Sequence, residues 1–404
     1  MWERVLVAVL NRFFTVGRVE LTLANGNTHS FGDPTAPPFH VHFHDDALIR
    51  EVIINADMAM GEGYMDARMT LQDDDLDAFM SLLVRNRDKA KGHFFMKLRK
   101  LRHILRQITL RNPIGRAQDN VAHHYDLQAD LYALFLDADK QYSCAYFEYP
   151  GQSLEDAQAA KKHHIARKLR IKKGMRVLDI GCGWGGMALT LARDYGAQVT
   201  GVTLSREQHK IAVDRVAEAR LQDKIDIRLQ DYRHVSEQFD RVVSVGMFEH
   251  VGPAHYGEYF KTVDKLLKPD GVALIHTIGG SGPPQLTSTW ITKYIFPGGH
   301  IPALSEIAPH VERTGLNLTD LEILRLHYAD TLRAWLDRFM ANRDAAAALY
   351  DARFVRMWRY YLLASEMTFR HGDQVVFQLQ LSKSNEIVPT TRGYLYEQPL
   401  IELT

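Results

Sequence analysis

Two cysteines in 404 residues, Cys144 and Cys182, are too few for a disulfide framework or a four-thiolate metal site, and they fit a reducing cytoplasm. Long apolar runs are missing too, so no segment is expected to cross a bilayer and the chain reads as soluble or peripheral. The opening Met1-Trp2-Glu3-Arg4 leads into Val5 to Leu10, which is too short for a signal peptide and lacks a small-residue cleavage site; export is not expected. Net charge is absent as well. Lys plus Arg and Asp plus Glu number 49 each, which excludes a general bias towards polyanions and leaves that argument to local patches. What is present is apolar material: 46% hydrophobic residues supply a sizeable core, and the length predicts one large domain with a smaller companion.

Residues 1–84 read as a small N-terminal α+β domain. Alternation in Gly17 to Leu23 and in Phe39 to Phe43 predicts strands, with turn-rich Asn25-Gly26-Asn27 and Pro34 to Pro38 between them. Apolar spacing of three and four predicts helices over Ala47–Asn55 and Leu76–Val84, with Asp73-Asp74-Asp75 ahead of the second, where a helix dipole favours acids. His40, His42 and His44 share one face of their strand. Phe39, Val41 and Phe43 then form the buried face and leave the imidazoles in solvent, so no metal site is expected. His123-His124 and His163-His164 fall on helical stretches, where adjacent side chains diverge.

Residues 85–111 stand apart. Arg85, Arg87, Lys89, Lys91, Lys97, Arg99, Lys100, Arg102, Arg106 and Arg111 oppose Asp88 alone, so ten cations less one acid leave a net +9. Phe94, Phe95, Leu98, Leu101, Ile104, Leu105 and Ile108 recur at helical spacing, which makes a basic amphipathic helix or linker. It suits an anionic membrane surface; a solvated linker helix packing its stripe on its own protein is the alternative. Nucleic acid is not expected as a partner, since no recognition motif accompanies the charge.

Over 112–404 the pattern changes to strands alternating with helices: Arg176 to Ile180, Gln198 to Leu204, Asp226 to Leu229, Arg241 to Val245 and Val272 to His276, then helical Thr331 to Ala341 and Phe354 to Phe369, and a closing alternation over Val375 to Leu381. This predicts a doubly wound α/β sheet. Asp179-Ile180-Gly181-Cys182-Gly183-Trp184-Gly185-Gly186 links the first of these strands to a helical Met187 to Arg193, a setting in which glycines let a ligand approach the backbone. A dinucleotide would want an acid ending the next strand, yet Val199 to Ser205 offers none. Asp179 before the glycines and Asp231 after the third strand instead suit S-adenosylmethionine, whose amino group and adenine need acceptors.

Four stretches carry a more specific resemblance: Val177 to Gly186, Gly201-Val202-Thr203-Leu204-Ser205 with Gln208, Leu229-Gln230-Asp231-Tyr232-Arg233, and Val243 to Gly252. With Gln141 to Phe147 upstream, and Ile275 to Gly279 and Trp290 to Gly299 downstream, the chain resembles cyclopropane-fatty-acyl-phospholipid synthases and the related mycolic acid cyclopropane synthases over about residues 117–385. The resemblance implies a Rossmann-like, class I S-adenosylmethionine-dependent methyltransferase domain that acts on unsaturated phospholipid in a membrane. It also implies a homodimer, and we expect a cytoplasmic enzyme held peripherally on the inner face of the cell membrane. Around S-adenosylmethionine it implies Tyr142, Ser143, Asp179, Gly181, Gly183, Gly185, Thr203, Leu204, Gln208, Gln230, Asp231 and Tyr232. The base it implies is a bicarbonate ion, at Cys144 through its backbone, Glu249, His276, Ile278 and Tyr328. Ser365 departs from the cysteine that many relatives carry, which argues against a covalent role there.

The chemistry asks for such a site. An isolated alkene is a poor nucleophile, so methyl transfer needs close, dry alignment, and carbon then bears positive charge. Aromatic faces stabilise cations without attacking them, a part open to Tyr142, Tyr146, Tyr294 and Tyr328, although with 17 Tyr and 18 Phe most aromatics serve packing. Ring closure then needs a base for a proton of the added methyl. Glu249 and His276 fall at the carboxyl ends of central strands, where such sheets bind ligands. Three rival readings stay open: a different fate of the cation, giving a branched or oxygenated chain; a methyltransferase for a soluble acceptor, which liposomes would not stimulate; and a lipid-binding protein without turnover.

Overall fold

The computed structural model describes residues 1–89 and 129–396. The basic stretch from residue 90 onward, with its apolar stripe, lies outside the described residues, as do residues 112–128 and His123-His124.

In the N-terminal part, β1 (Arg18–Thr22), β2 (Thr28–Gly32), β3 (Pro38–Phe43) and β4 (Met69–Leu71) form one sheet in the order β2-β1-β3-β4. β1 and β3 run parallel, and the outer pairings are antiparallel. Val41 and Phe43 are buried while His40, His42 and His44 are exposed, as the alternation predicts. The expected helix at Ala47 continues to Met65, but Asn55 leaves helical geometry (φ −151°, ψ 81°) where the sequence reading stopped. Its side-chain Oδ1 accepts from Met58 N at 3.4 Å, an Asn competing with the helix ladder. Of the three aspartates before Leu76, Asp75 does the capping, accepting from Ala78 N at 2.9 Å. That helix runs to Lys89. A first helix, Trp2–Phe13, takes in the short apolar stretch Val5 to Leu10.

The larger sheet contains β5 (Arg176–Ile180), β6 (Gln198–Thr203), β7 (Ile225–Leu229), β8 (Phe239–Val245), β9 (Leu267–Gly280), β10 (Asn317–Ile323) and β11 (Gln374–Ser382), in the order β10-β11-β9-β8-β5-β6-β7. β5 to β9 are parallel, whereas β11 runs antiparallel between β9 and β10. The chain winds outward from β5 through β6 and β7, then returns to β8 on the other side of β5. The two carboxyl ends therefore diverge between β5 and β8, the crevice where open sheets of this kind bind ligands. Alternate residues feed separate cores: Leu178, Val242 and Ile275 join one, and Val177, Val243 and Leu274 the other, so both faces are covered. β10 escaped the sequence reading because, as an edge strand, it has no fully buried residue.

A third apolar cluster runs from Leu6 and Val84 through to Trp290, Trp335 and Trp358, joining the smaller sheet and its helices to helices around the larger sheet. Asp57 reinforces it, accepting from Ser288 Oγ (2.9 Å), Thr289 Oγ1 (2.8 Å) and Trp290 N (3.1 Å). Charge-assisted bonds of this kind contribute about 1–3 kcal/mol together when partly exposed. We predict that Asp57→Ala lowers the urea midpoint and opens the 1–84 segment to limited proteolysis; an unchanged cleavage pattern would show that the apolar cluster alone holds it. Among the described residues no helix is long and apolar enough to cross a membrane.

Candidate active site

The glycine loop leaves β5 and enters the helix Gly186–Tyr195 through three left-handed residues, Gly181, Gly183 and Gly185 (φ 79°, 54° and 82°). Their surroundings differ. A Cβ on Gly181 would lie 2.9 Å from Met247 Cβ and one on Gly185 3.3 Å from Ala212, whereas one on Gly183 would meet no described heavy atom within 4 Å. Gly183 therefore opens onto free space beside the backbone. Just below, Asp179 is buried with Oδ2 unpartnered, and burial pushes its carboxyl up to about 7. A loop that leaves room at a glycine, with an unsatisfied buried acceptor beneath it, fits the amino acid end of S-adenosylmethionine.

The other residues expected around that cofactor line the carboxyl ends of β6 and β7. Thr203 Oγ1 donates to Gln208 Oε1 (3.2 Å), and Gln230 N donates to Thr203 O (3.1 Å), so Thr203, Leu204, Gln208 and Gln230 form one connected corner. Asp231 is buried; Arg233 N and Nε reach its Oδ1 (2.9 Å each) and Nη2 its Oδ2 (2.6 Å). Burial alone would raise its carboxyl, but Arg233 outweighs that and keeps it ionised. Tyr232 follows, its ring 5.5 Å from Tyr259 and its hydroxyl pushed up by burial.

On the other side of β5, the helical turn Phe248–His250 after β8 presents Glu249 towards β9. Ile278 N donates to Glu249 Oε1 at 2.7 Å, while Oε2 is buried with no hydrogen bond of good geometry; burial pushes this carboxyl up to about 7 although Ile278 N–H and the Thr277 hydroxyl act against it. Ile278 thus acts here by fixing Glu249 through its main chain. His276 faces Val245 across the β8–β9 ladder and is 2% exposed. Burial pushes its imidazole far down, so it is neutral, and Gln378 Nε2 on β11 meets its Nδ1 at 3.1 Å. With the amide in that orientation Nδ1 accepts and the ring proton lies on Nε2.

A strap over residues 137–147 packs against the helices Leu154–Lys168 and His327–Ala341 through Gln158 Nε2 to Ser143 O (2.9 Å) and Ala145 N to Thr331 Oγ1 (3.0 Å). Tyr142 OH meets Tyr361 OH at 2.8 Å, and its ring packs against Tyr132 (5.2 Å) and Trp335 (5.1 Å). Tyr328 touches the same Trp335 and lies 4.9 Å from Phe369. Tyr142 and Tyr328 therefore share one aromatic cluster. Tyr146 does not join it, being stacked between His164 (4.2 Å) and His327 (4.8 Å), and Tyr294 OH donates instead to Glu62 of the N-terminal part (2.6 Å). Cys144 is buried, with Sγ donating to Ala145 O (3.3 Å); burial pushes its thiol up, so it is protonated. Ser143 Oγ accepts from Lys161 Nζ at 2.8 Å, and Arg215 ties the strap to the glycine loop by bonding Asp139 and, at 2.7 Å, Trp184 O. Lys161, Gln378 and Arg215 were not anticipated. The one signal was Gln378 and Gln380 interrupting an otherwise apolar strand.

His163 and His164 diverge as expected, towards Tyr195 OH (3.0 Å) and Glu322 Oε2 (2.6 Å). Ser365 lies half-buried within the helix Ala352–His371.

The family model for mycolic acid cyclopropane synthetase matches residues 114–379, and a model for a domain of unknown function matches residues 5–92. The chain belongs to the mycolic acid cyclopropane synthetase family. Among its relatives, the cyclopropane-fatty-acyl-phospholipid synthase of Escherichia coli K12 is 40% identical over 351 residues, covering 86% of this chain and 89% of that one. A tuberculostearic acid methyltransferase of Mycobacterium tuberculosis is 37% identical over 386 residues, covering 92% and 90%. A mycolic acid cyclopropane synthase crystallised with SAH and CTAB superposes with a TM-score of 0.63 at 34% identity, covering 67% of this chain and 99% of that one. Family and fold together make this chain an S-adenosylmethionine-dependent methyltransferase.

Proposed function

We propose that this chain is a cyclopropane-fatty-acyl-phospholipid synthase, adding a methylene from S-adenosylmethionine across the cis double bond of an unsaturated phospholipid acyl chain. The observation that carries the base assignment is Glu249, with one oxygen fixed by Ile278 N–H, the other buried with no hydrogen bond of good geometry and the Thr277 hydroxyl acting on the carboxylate, on the strand that also carries the neutral His276 two residues before Ile278. A small anion bearing a hydroxyl suits that arrangement: Glu249 Oε2 accepts from the hydroxyl, while His276 Nε2–H, the Tyr328 hydroxyl and the Cys144 backbone supply donors. Bicarbonate is such an anion, and when bound it supplies the base for a proton of the added methyl.

The chain's own residues do the rest. The glycine loop with Asp179 holds the cofactor, which supplies an electrophilic methyl. The cluster of Tyr142, Tyr328 and Trp335 offers π faces to positive charge on carbon and keeps water away from it. The buried, protonated Cys144 thiol presents no thiolate to trap that charge. The N-terminal unit over 1–84 and the basic stretch over 85–111 hold the enzyme, as a homodimer, on the inner face of an anionic membrane, with the catalytic unit over 112–404.

The test is incubation of the purified protein with S-adenosylmethionine and liposomes of unsaturated phospholipid, followed by mass spectrometry of the acyl esters. The expected product has gained one methylene and lost its alkene. Retained alkene or added oxygen would assign a different fate to the cation, in line with the methyltransferase name of the Mycobacterium tuberculosis relative. Unchanged lipid would shift the assignment to a soluble acceptor or a binding role.

A further inference from the structure

Lys161, in the middle of the helix Leu154–Lys168, is 0% exposed, which lysines seldom are without a counterion. Its neighbours follow that rule: Lys162 pairs with Asp139, and Lys168 with Glu322. Lys161 does not. Its ammonium donates to two neutral oxygens, Gln141 Oε1 and Ser143 Oγ, each at 2.8 Å, and makes no ion pair with a carboxylate among the described residues. Gln158, one turn earlier, braces the same strap by donating to Gln141 O (3.2 Å) and Ser143 O (2.9 Å).

The carboxylates nearest this cation, buried Asp137 and half-buried Asp139 on the strap, offset part of its charge without pairing with it, and Lys162 beside it opposes them. Cys144 is a thiol, His276 is neutral, and Asp179 is held at about 7 by burial; the Lys161 charge acts on all three. Burial pulls the ammonium itself down to about 8, so it is charged at neutral pH at a free-energy cost. A buried cation whose hydrogen-bond partners are both neutral, and whose nearby carboxylates stop short of pairing with it, still favours an anion that enters beside it.

We propose that Lys161 is a positioning residue: it fastens the strap that carries Ser143 and Cys144 and supplies the positive charge that offsets an anion bound among Cys144, Glu249 and His276. The inference rests on the bicarbonate reading above. Two roles meet in one side chain. Through Ser143 it steadies the cofactor side of the strap, and through its charge it favours the anion side.

The test compares the full-length protein with Lys161→Met, which removes the charge and both bonds, and Gln141→Leu, which removes one bond and keeps the charge. Each is titrated with bicarbonate in carbon-dioxide-free buffer, reading the half-saturating concentration for turnover and, without cofactor or lipid, the bicarbonate-induced rise in Tm. S-adenosylmethionine Kd is measured alongside by calorimetry. We expect Lys161→Met to raise half-saturation about tenfold or more and abolish the Tm response while weakening cofactor Kd only a few-fold through the lost Ser143 bond, and Gln141→Leu to raise half-saturation a few-fold with cofactor Kd near wild type. A folded Lys161→Met with the wild-type bicarbonate response overturns the proposal, as does a loss confined to cofactor affinity. If Lys161→Met does not fold, an unchanged half-saturation in Gln141→Leu has the same force. A wild-type protein indifferent to bicarbonate in both turnover and Tm instead overturns the bicarbonate reading itself, and the proposal with it.

Discussion

Glu249→Gln is expected to abolish most turnover while making the protein more stable above neutral pH. Glutamine retains the acceptor for Ile278 N–H but turns the unpartnered Oε2 into a donor, so a hydroxyl-bearing anion meets a donor where it needs an acceptor. Loss of a positioned base or its mount typically lowers turnover on the order of 10²–10⁴-fold, and cofactor Kd should stay near wild type because Glu249 lies across β5 from Thr203 and Asp231. The stability effect follows from the raised carboxyl. Burial shifts it from 4.5 to about 7, so the folded state holds this proton more tightly than the unfolded state does. Its contribution is fully present below about 4.5 and is lost as pH rises through about 7, leaving an ionised carboxylate in an unfavourable place. Removing it should stabilise by on the order of 1–3 kcal/mol at about pH 8 and by little at about pH 5. Calorimetric Tm values at both pH values, with turnover and cofactor Kd, check this. Equal loss of cofactor affinity would move Glu249 into the cofactor site, and a Tm gain independent of pH would remove burial of charge as its cause.

Glu249 and His276 were legible because each follows an apolar run visible locally, but the structure sets Glu249 in the turn four residues past β8 and carries β9 four residues beyond His276, to Gly280. The glycine loop was legible for the same reason, since a strand, three glycines and a helix are all local features. Lys161 was not. Beside Leu154, Ala157, Ile165 and Ala166, the buried residues of its helix include Gln158, Lys161, Lys162, His164 and Lys168, so hydropathy makes a buried helix look like a half-exposed one. What reverses its polarity is supplied from afar: Asp139 on the strap and Glu322 on edge strand β10. Pattern within a window cannot register partners that lie about 20 or 150 positions away. The partners of Tyr146 and Tyr294 were hidden on the same ground, because ring stacking between His164 and His327, and a hydroxyl bond to Glu62, are tertiary facts. In the N-terminal part the kink at Asn55 was marked by the residue itself, but the continuation to Met65 depends on docking against Trp290, which a Cβ on Gly61 would strike.

Gly183→Val is expected to separate cofactor binding from folding. Valine at φ 54° is strained by roughly 1–2 kcal/mol, so Tm should fall by a few degrees, but the added side chain meets no described heavy atom within 4 Å of its Cβ and the fold has room for it. That room is what the glycine loop is proposed to offer the cofactor. Filling it should weaken S-adenosylmethionine and S-adenosylhomocysteine binding on the order of 10²-fold, or about 2.7 kcal/mol. Gly181→Val makes the contrast: its Cβ would press on Met247 at 2.9 Å and carry the same backbone strain, so stability and affinity should fall together. Calorimetric Kd values beside thermal melts decide between the two. Should Gly183→Val bind the cofactor as wild type does, the open face of the loop is not its seat. Asp179 would then need another explanation for an oxygen buried without a partner. Should both variants lose affinity with matching losses of Tm, the loop acts through the packing of β5 on its helix, and direct approach of the cofactor to the backbone is no longer supported.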